Sequence, residues 1–148
     1  MTSVIRRTGV VIAAAAVLIA GLSGCSMRIP TQESLETAIP KALLAADLGI
    51  TAAEADTGTD GVESNVVASL EFESAGVTAD DLGTILEIIV DNANVTGASN
   101  VVITAGVGPL TDGEFIDLGS LGEKLGFPAG GSEAFYADWN DVVAFAND

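Results

Sequence analysis

Polar and apolar positions follow two different periods along this chain, and the changes of period divide it into elements. An unbroken apolar run, Val10 to Ala20 (VVIAAAAVLIA), stands apart near the start. Leu35, Ile39, Leu43 and Ala46 then recur at helical spacing through Asp47, with Gly49 just beyond as a stop signal. Pro40 lies inside that stripe and must kink or divide the helix, because its ring removes a backbone donor. Ile50 to Thr57 reads as a strand, followed by the turn-rich Gly58-Thr59-Asp60-Gly61. From Val66 to Glu73 the period is two: Val66, Ala68, Leu70 and Phe72 point one way, and Val67, Ser69, Glu71 and Glu73 the other. The two segments suggest a hairpin.

Thr78 followed by Asp81 predicts a capped helix start, and Leu82, Ile85, Leu86, Ile89 and Ala93 supply the apolar face before Asn94. Val101-Val102-Ile103 is wholly apolar between Asn and Thr-Ala-Gly, the pattern of a central strand. A loop carrying Asp112-Gly113 leads to Phe115 and Ile116, after which Leu118, Leu121 and Leu125 predict a short helix stopped by Gly126 and Pro128. Phe135, Trp139, Val142 and Val143 are spaced for a helix capped by Ser132, although their aromatic and β-branched content would also suit a strand. The order α-β-β-α-β-(β)-α-α predicts an α+β fold, a small mostly antiparallel sheet of three to four strands with helices packed on one face. No internal repeat is visible.

The apolar run at the start changes what the rest must do. Met1 to Gly9 holds Arg6 and Arg7 and no acid, the run follows, and Gly21 to Cys25 reads GLSGC, which is the order of regions in a signal peptide. The run is about half the roughly 20 residues needed to span the hydrocarbon layer as a lasting helix. Leu22-Ser23-Gly24-Cys25 resembles the lipobox of bacterial lipoproteins: an aliphatic residue, a small one, Gly or Ala, then an obligatory Cys. The resemblance covers residues 1–25 and implies that the Cys25 thiol takes a diacylglycerol group and that a dedicated peptidase cuts between Gly24 and Cys25. Palmitate on Cys25 and a cell-membrane location facing away from the cytoplasm are the expectations that follow. Arg6-Arg7 also fits twin-arginine export, but Gly9 replaces the bulky apolar residue usual two places after the pair, which favours ordinary secretion. Ser26 after the lipidated residue resembles an outer-membrane sorting signal in a Gram-negative host. The Ala, Asp and Gly bias with scarce Lys resembles small actinobacterial lipoproteins.

Three segments are thus expected: a signal peptide over 1–24, the lipidated Cys25 with a short tether over 25–32, and a single acidic α+β domain over 33–148. Removing 24 of 148 residues leaves 148 − 24 = 124, the size of one domain. The tether SMRIPTQ reaches at most about 25 Å, which keeps the domain near the bilayer.

Charge narrows the partners. Five bases stand against 21 acids, and with Arg6 and Arg7 removed the mature chain carries 3 − 21 = −18. That surface repels phosphate backbones, so no nucleic acid is expected, and the fitting partner is an envelope protein with a basic surface. With one cysteine and no histidine, the chain has no Ser-His-Asp triad, no H-E-x-x-H zinc site and no internal disulfide. Neither enzyme activity nor a cofactor is expected.

Four constellations remain. Asp56-Thr57-Gly58-Thr59-Asp60-Gly61 has the acids and the sixth-position Gly of a calcium loop, but Val67 stands where its Glu belongs, so an acidic turn explains it better. A low-affinity divalent-cation binder is therefore the alternative function. Asp80-Asp81 is explained by helix capping. Ser120 and Lys124 have the spacing S-x-x-x-K, a poor match to the S-x-x-K of penicillin-recognising hydrolases, and an unrecognised hydrolase is the second alternative. Finally, five of the seven aromatics fall in the last 22 residues, interrupted by Gly130-Gly131. Phe135, Tyr136 and Trp139 are the candidate partner-binding residues there, with closure of the core as the competing role.

Overall fold

The alternation in the second strand organises the molecule. The computed structural model describes residues 34–148, which form one compact unit. Its elements are α1 (Leu35–Ala45), β1 (Ile50–Asp60), β2 (Glu63–Phe72), α2 (Ala79–Ala93), β3 (Asn100–Val107), β4 (Glu114–Phe115), α3 (Leu118–Lys124), β5 (Ala134–Asp138) and α4 (Trp139–Ala146). The fold is α+β with a mostly antiparallel sheet, as the order of periods predicts.

β1 and β2 form the expected hairpin, with Ala55 opposite Ala68 and Asp60 opposite Glu63. The turn sits later than the local composition suggests. Asp60 is still strand, and Gly61 takes φ +66 in the tight reversal to Glu63. β3 lies parallel to β2, Val66 opposite Val101 and Leu70 opposite Ala105. A parallel pair needs a crossover, and α2 provides it. The far edge of β3 is shared end to end: β5 pairs antiparallel with Asn100–Thr104, and the two residues of β4 with Gly106 and Val107. The sheet therefore has five strands in four positions.

One face of this sheet makes the core. Val66, Ala68, Leu70 and Phe72 of β2, Val101, Ile103 and Ala105 of β3, and Phe135 and Ala137 of β5 are buried there. Against them lie Leu35, Ile39 and Leu43 from α1, Leu82, Ile85, Leu86 and Ile89 from α2, Leu118 from α3 and Val142 from α4. Burying each such side chain contributes about 1.5–3 kcal/mol, so this layer holds the fold. α1 runs unbroken through Pro40, which costs it one i→i−4 hydrogen bond. It ends at Ala45, before Asp47, which takes φ 41 and turns the chain toward β1.

α2 is stapled at its start by a capping box. The Asp81 amide donates to Thr78 Oγ1 at 3.2 Å, and the Thr78 amide donates to Asp81 Oδ2 at 2.8 Å. Because α2 spans the whole core, a loose first turn loosens the parallel crossover. Thr78→Ala should therefore lower stability by about 1 kcal/mol and the melting temperature by about 4 °C. Thermal unfolding followed by circular dichroism measures this, and an unchanged midpoint would show the box to be dispensable.

Candidate functional site

The other face of the sheet follows from the same alternation. Directly opposed residues share a face, so strand register reads out as rows. Asp56, Val67, Val102 and Tyr136 form one row across β1, β2, β3 and β5. Val67 and Val102 are half-buried and Tyr136 is 48% exposed, and none of the three belongs to the core cluster. With strands about 4.8 Å apart, the row spans roughly 14 Å. It is an apolar stripe ending on a phenol at one edge and a carboxylate at the other.

Polar rows flank the stripe. On one side stand Glu54, Ser69, Thr104 and Ala134, where the hydroxyls of Ser69 and Thr104 lie 3.3 Å apart. On the other stand Gly58, Asn65, Asn100 and Asp138. Asn100 is 8% exposed, and its amide donates to Asn65 Oδ1 at 3.0 Å and to Glu63 Oε2 at 3.2 Å. Satisfied in this way, Asn100 ties β3 to β2 without cost from a buried amide. Beyond Ser69 and Thr104 the face is closed by a loop: the Leu110 amide donates to Glu71 Oε1 at 3.4 Å, and a Cβ on Gly106 would come within 3.0 Å of the Leu110 side chain. The open area thus centres on Val67, Val102 and Tyr136.

Its border is acidic. Glu54, Asp56, Glu71 and Asp138 all lie on this face by register. Among the described residues the bases are Lys41 and Lys124, and both sit on helices of the opposite layer. The field over the open face is therefore negative.

The residues singled out in the sequence are placed as follows. Phe135 and Tyr136, adjacent in β5, point to opposite faces, Phe135 being 1% exposed in the core. Trp139 opens α4 and packs half-buried against that core, its amide donating to the Ser99 carbonyl at 2.9 Å. The three do not make one surface, and Tyr136 alone reaches the open face. The aromatic tail closes the core instead: Phe127 meets Phe135 edge-on, with ring centres 5.1 Å apart, and Phe145 at 5.4 Å. Asp56 and Asp60 lie four residues apart within extended β1, roughly 13 Å along the strand, too far to share one ion. Among the described residues no group of three or more acids or thiols gathers as metal ligands would. Asp81 belongs to the capping box, and the Ser120 hydroxyl donates to Asp117 Oδ2 at 2.7 Å as part of the α3 cap. The hydrogen bonds from Ser120 hold the Asp117 carboxyl below the usual carboxylate range.

Val67 and Val102 were not among the residues singled out. The alternation in β2 marks Val67 as outward, so that signal was present. Val102 sits in a run apolar on both sides, which reads as doubly buried, and only the register reveals its open side. Gly24, Cys25, the leader and the tether lie outside the described residues. Among the described residues no helix is long and apolar enough to cross a membrane. Comparison with protein-family models, with curated proteins and with solved structures finds no match to this chain.

Proposed function

We propose that the chain is a lipid-anchored protein of the bacterial cell envelope whose domain is a non-catalytic binding module. It engages an envelope protein with a basic surface through the open face of its sheet. The observation that carries this reading is the Val67–Val102–Tyr136 stripe, apolar, outside the core that the four described helices cover, and bordered by Glu54, Asp56, Glu71 and Asp138. An exposed aromatic beside apolar side chains, with charge at the rim of the patch, is a usual division of labour in recognition: the first anchors and the second steers. The basic leader, apolar run and Leu22-Ser23-Gly24-Cys25 support the anchor, and a short tether favours partners close to the same membrane.

Tyr136→Ala tests the face. Its side chain is exposed, so folding should change by no more than about 0.5 kcal/mol, while capture of the partner from solubilised envelope should fall sharply. Glu87→Ala, on the exposed side of α2, is the control and should change neither. Equal capture by wild type and Tyr136→Ala would remove the open face from the account.

A further inference from the structure

β1 is the outer strand of the sheet. Among the described residues it pairs with β2 alone, so over its 11 residues one row of backbone N–H and C=O groups faces away from the sheet. A hollow of about 410 Å³ wraps round this edge: Glu36 and Pro40 of α1 line it on the core side, Val67 and Ser69 of β2 on the open face, and Ala53, Glu54, Ala55 and Asp56 in succession between them. Side chains of a strand alternate between faces, so a hollow that touches four consecutive residues of β1 and residues on both sides of the sheet passes over the backbone edge of that strand. A second hollow of about 220 Å³ shares Ala53, Glu54 and Ser69 and continues over the open face, past Ala52 and Glu71, to the Pro109–Thr111 loop.

We propose that this edge of β1 receives an extended basic segment of the partner, which joins the sheet as a new outer strand. The inference rests on the domain being a protein-binding module and names how it binds. Backbone pairing would supply affinity for any extended chain, and the side chains select among chains. Glu54 and Asp56 are exposed two residues apart on one side of β1, about 7 Å along the strand, with Glu36 on the core side of the hollow. An incoming strand with Lys or Arg at alternate positions places its cations against them. A second copy of this chain is a poor occupant, since pairing β1 with β1 brings carboxylates against carboxylates.

The test uses the full chain in a non-ionic detergent and synthetic 11-residue peptides. One carries Lys at every second position between Thr and Val; a second has Glu in place of Lys; a third keeps every Lys but is N-methylated at alternate residues and cannot pair along an edge. Calorimetry at physiological ionic strength and amide hydrogen exchange are read. The proposal predicts binding of the first peptide alone, with slowed exchange at alternate amides of residues 53–57. Glu54→Lys with Asp56→Lys should weaken that binding by about tenfold or more. Lysine is well tolerated on sheet edges, and Glu54→Gln with Asp56→Asn, expected to lose less, guards against misfolding of the reversed variant. Equal binding of the N-methylated peptide, unchanged exchange in β1, or no binding at all would overturn the proposal. If Tyr136-dependent capture persists alongside any of these, the edge alone is refuted and the binding module stands.

Discussion

Phe135→Ala is expected to lower the stability of the domain by about 3–5 kcal/mol, a large part of the roughly 5–15 kcal/mol that holds a domain of this size. The ring is 1% exposed and makes the edge-on contact with Phe127 at 5.1 Å. It also lies directly on the backbone of α3: a Cβ built on Gly122 would stand 2.8 Å from two Phe135 ring carbons. Phe135 thus joins β5, α3 and the loop holding Phe127. The adjacent Tyr136, on the other side of the same strand, should behave oppositely on truncation. Urea unfolding of the two variants side by side measures the contrast. A loss below about 1 kcal/mol for Phe135→Ala would mean that the C-terminal aromatics do not close the core.

Cys25→Ala should abolish lipidation and leave the precursor uncut. On the proposed reading the thiol is both the acceptor of the diacylglycerol group and part of the cleavage signal, so the variant accumulates as uncut precursor without label from palmitate. Two acyl chains contribute about 0.8 kcal/mol per buried methylene, enough for lasting attachment where one chain is marginal, while the net charge of −18 expected for the mature chain repels an anionic membrane. The lipid is therefore the lasting attachment of the mature chain. Labelling of Cys25→Ala equal to wild type would refute the anchor.

The elements that could be read in advance are those whose signals are local. The capping box of Thr78 and Asp81 and the stripe from Leu82 to Ala93 lie within one helix, and α2 forms as they predict. The alternation of Val66 to Phe72 needs no partner to be recognised. Two features depend on distant residues and left no local mark. The parallel pairing of β2 with β3 is one. The sharing of one edge of β3 by β4 and β5 is another. β5 was obscured locally: Asp138 ends the strand and also caps α4, its carboxylate accepting from the Asn140 amide at 2.8 Å, so strand alternation and helical spacing overlap in the same few residues. The helix expected from Ser132 therefore starts only at Trp139, after a strand. Asp56 to Asp60 failed differently, because Gly and Asp favour turns locally while pairing with Glu63 to Val67 keeps them extended. Of the open face, Val67 was visible as an outward position, Tyr136 was named only together with Phe135 and Trp139, and Val102 was not visible.

The central claim is that the domain binds through the uncovered side of its sheet while held at the membrane. A photo-crosslinking residue placed at position 136 and, separately, at position 87 on the exposed side of α2, tests it inside living cells of the host. The account predicts a defined adduct with an envelope protein from position 136 and none from position 87. An adduct from position 87 and none from position 136 would contradict it.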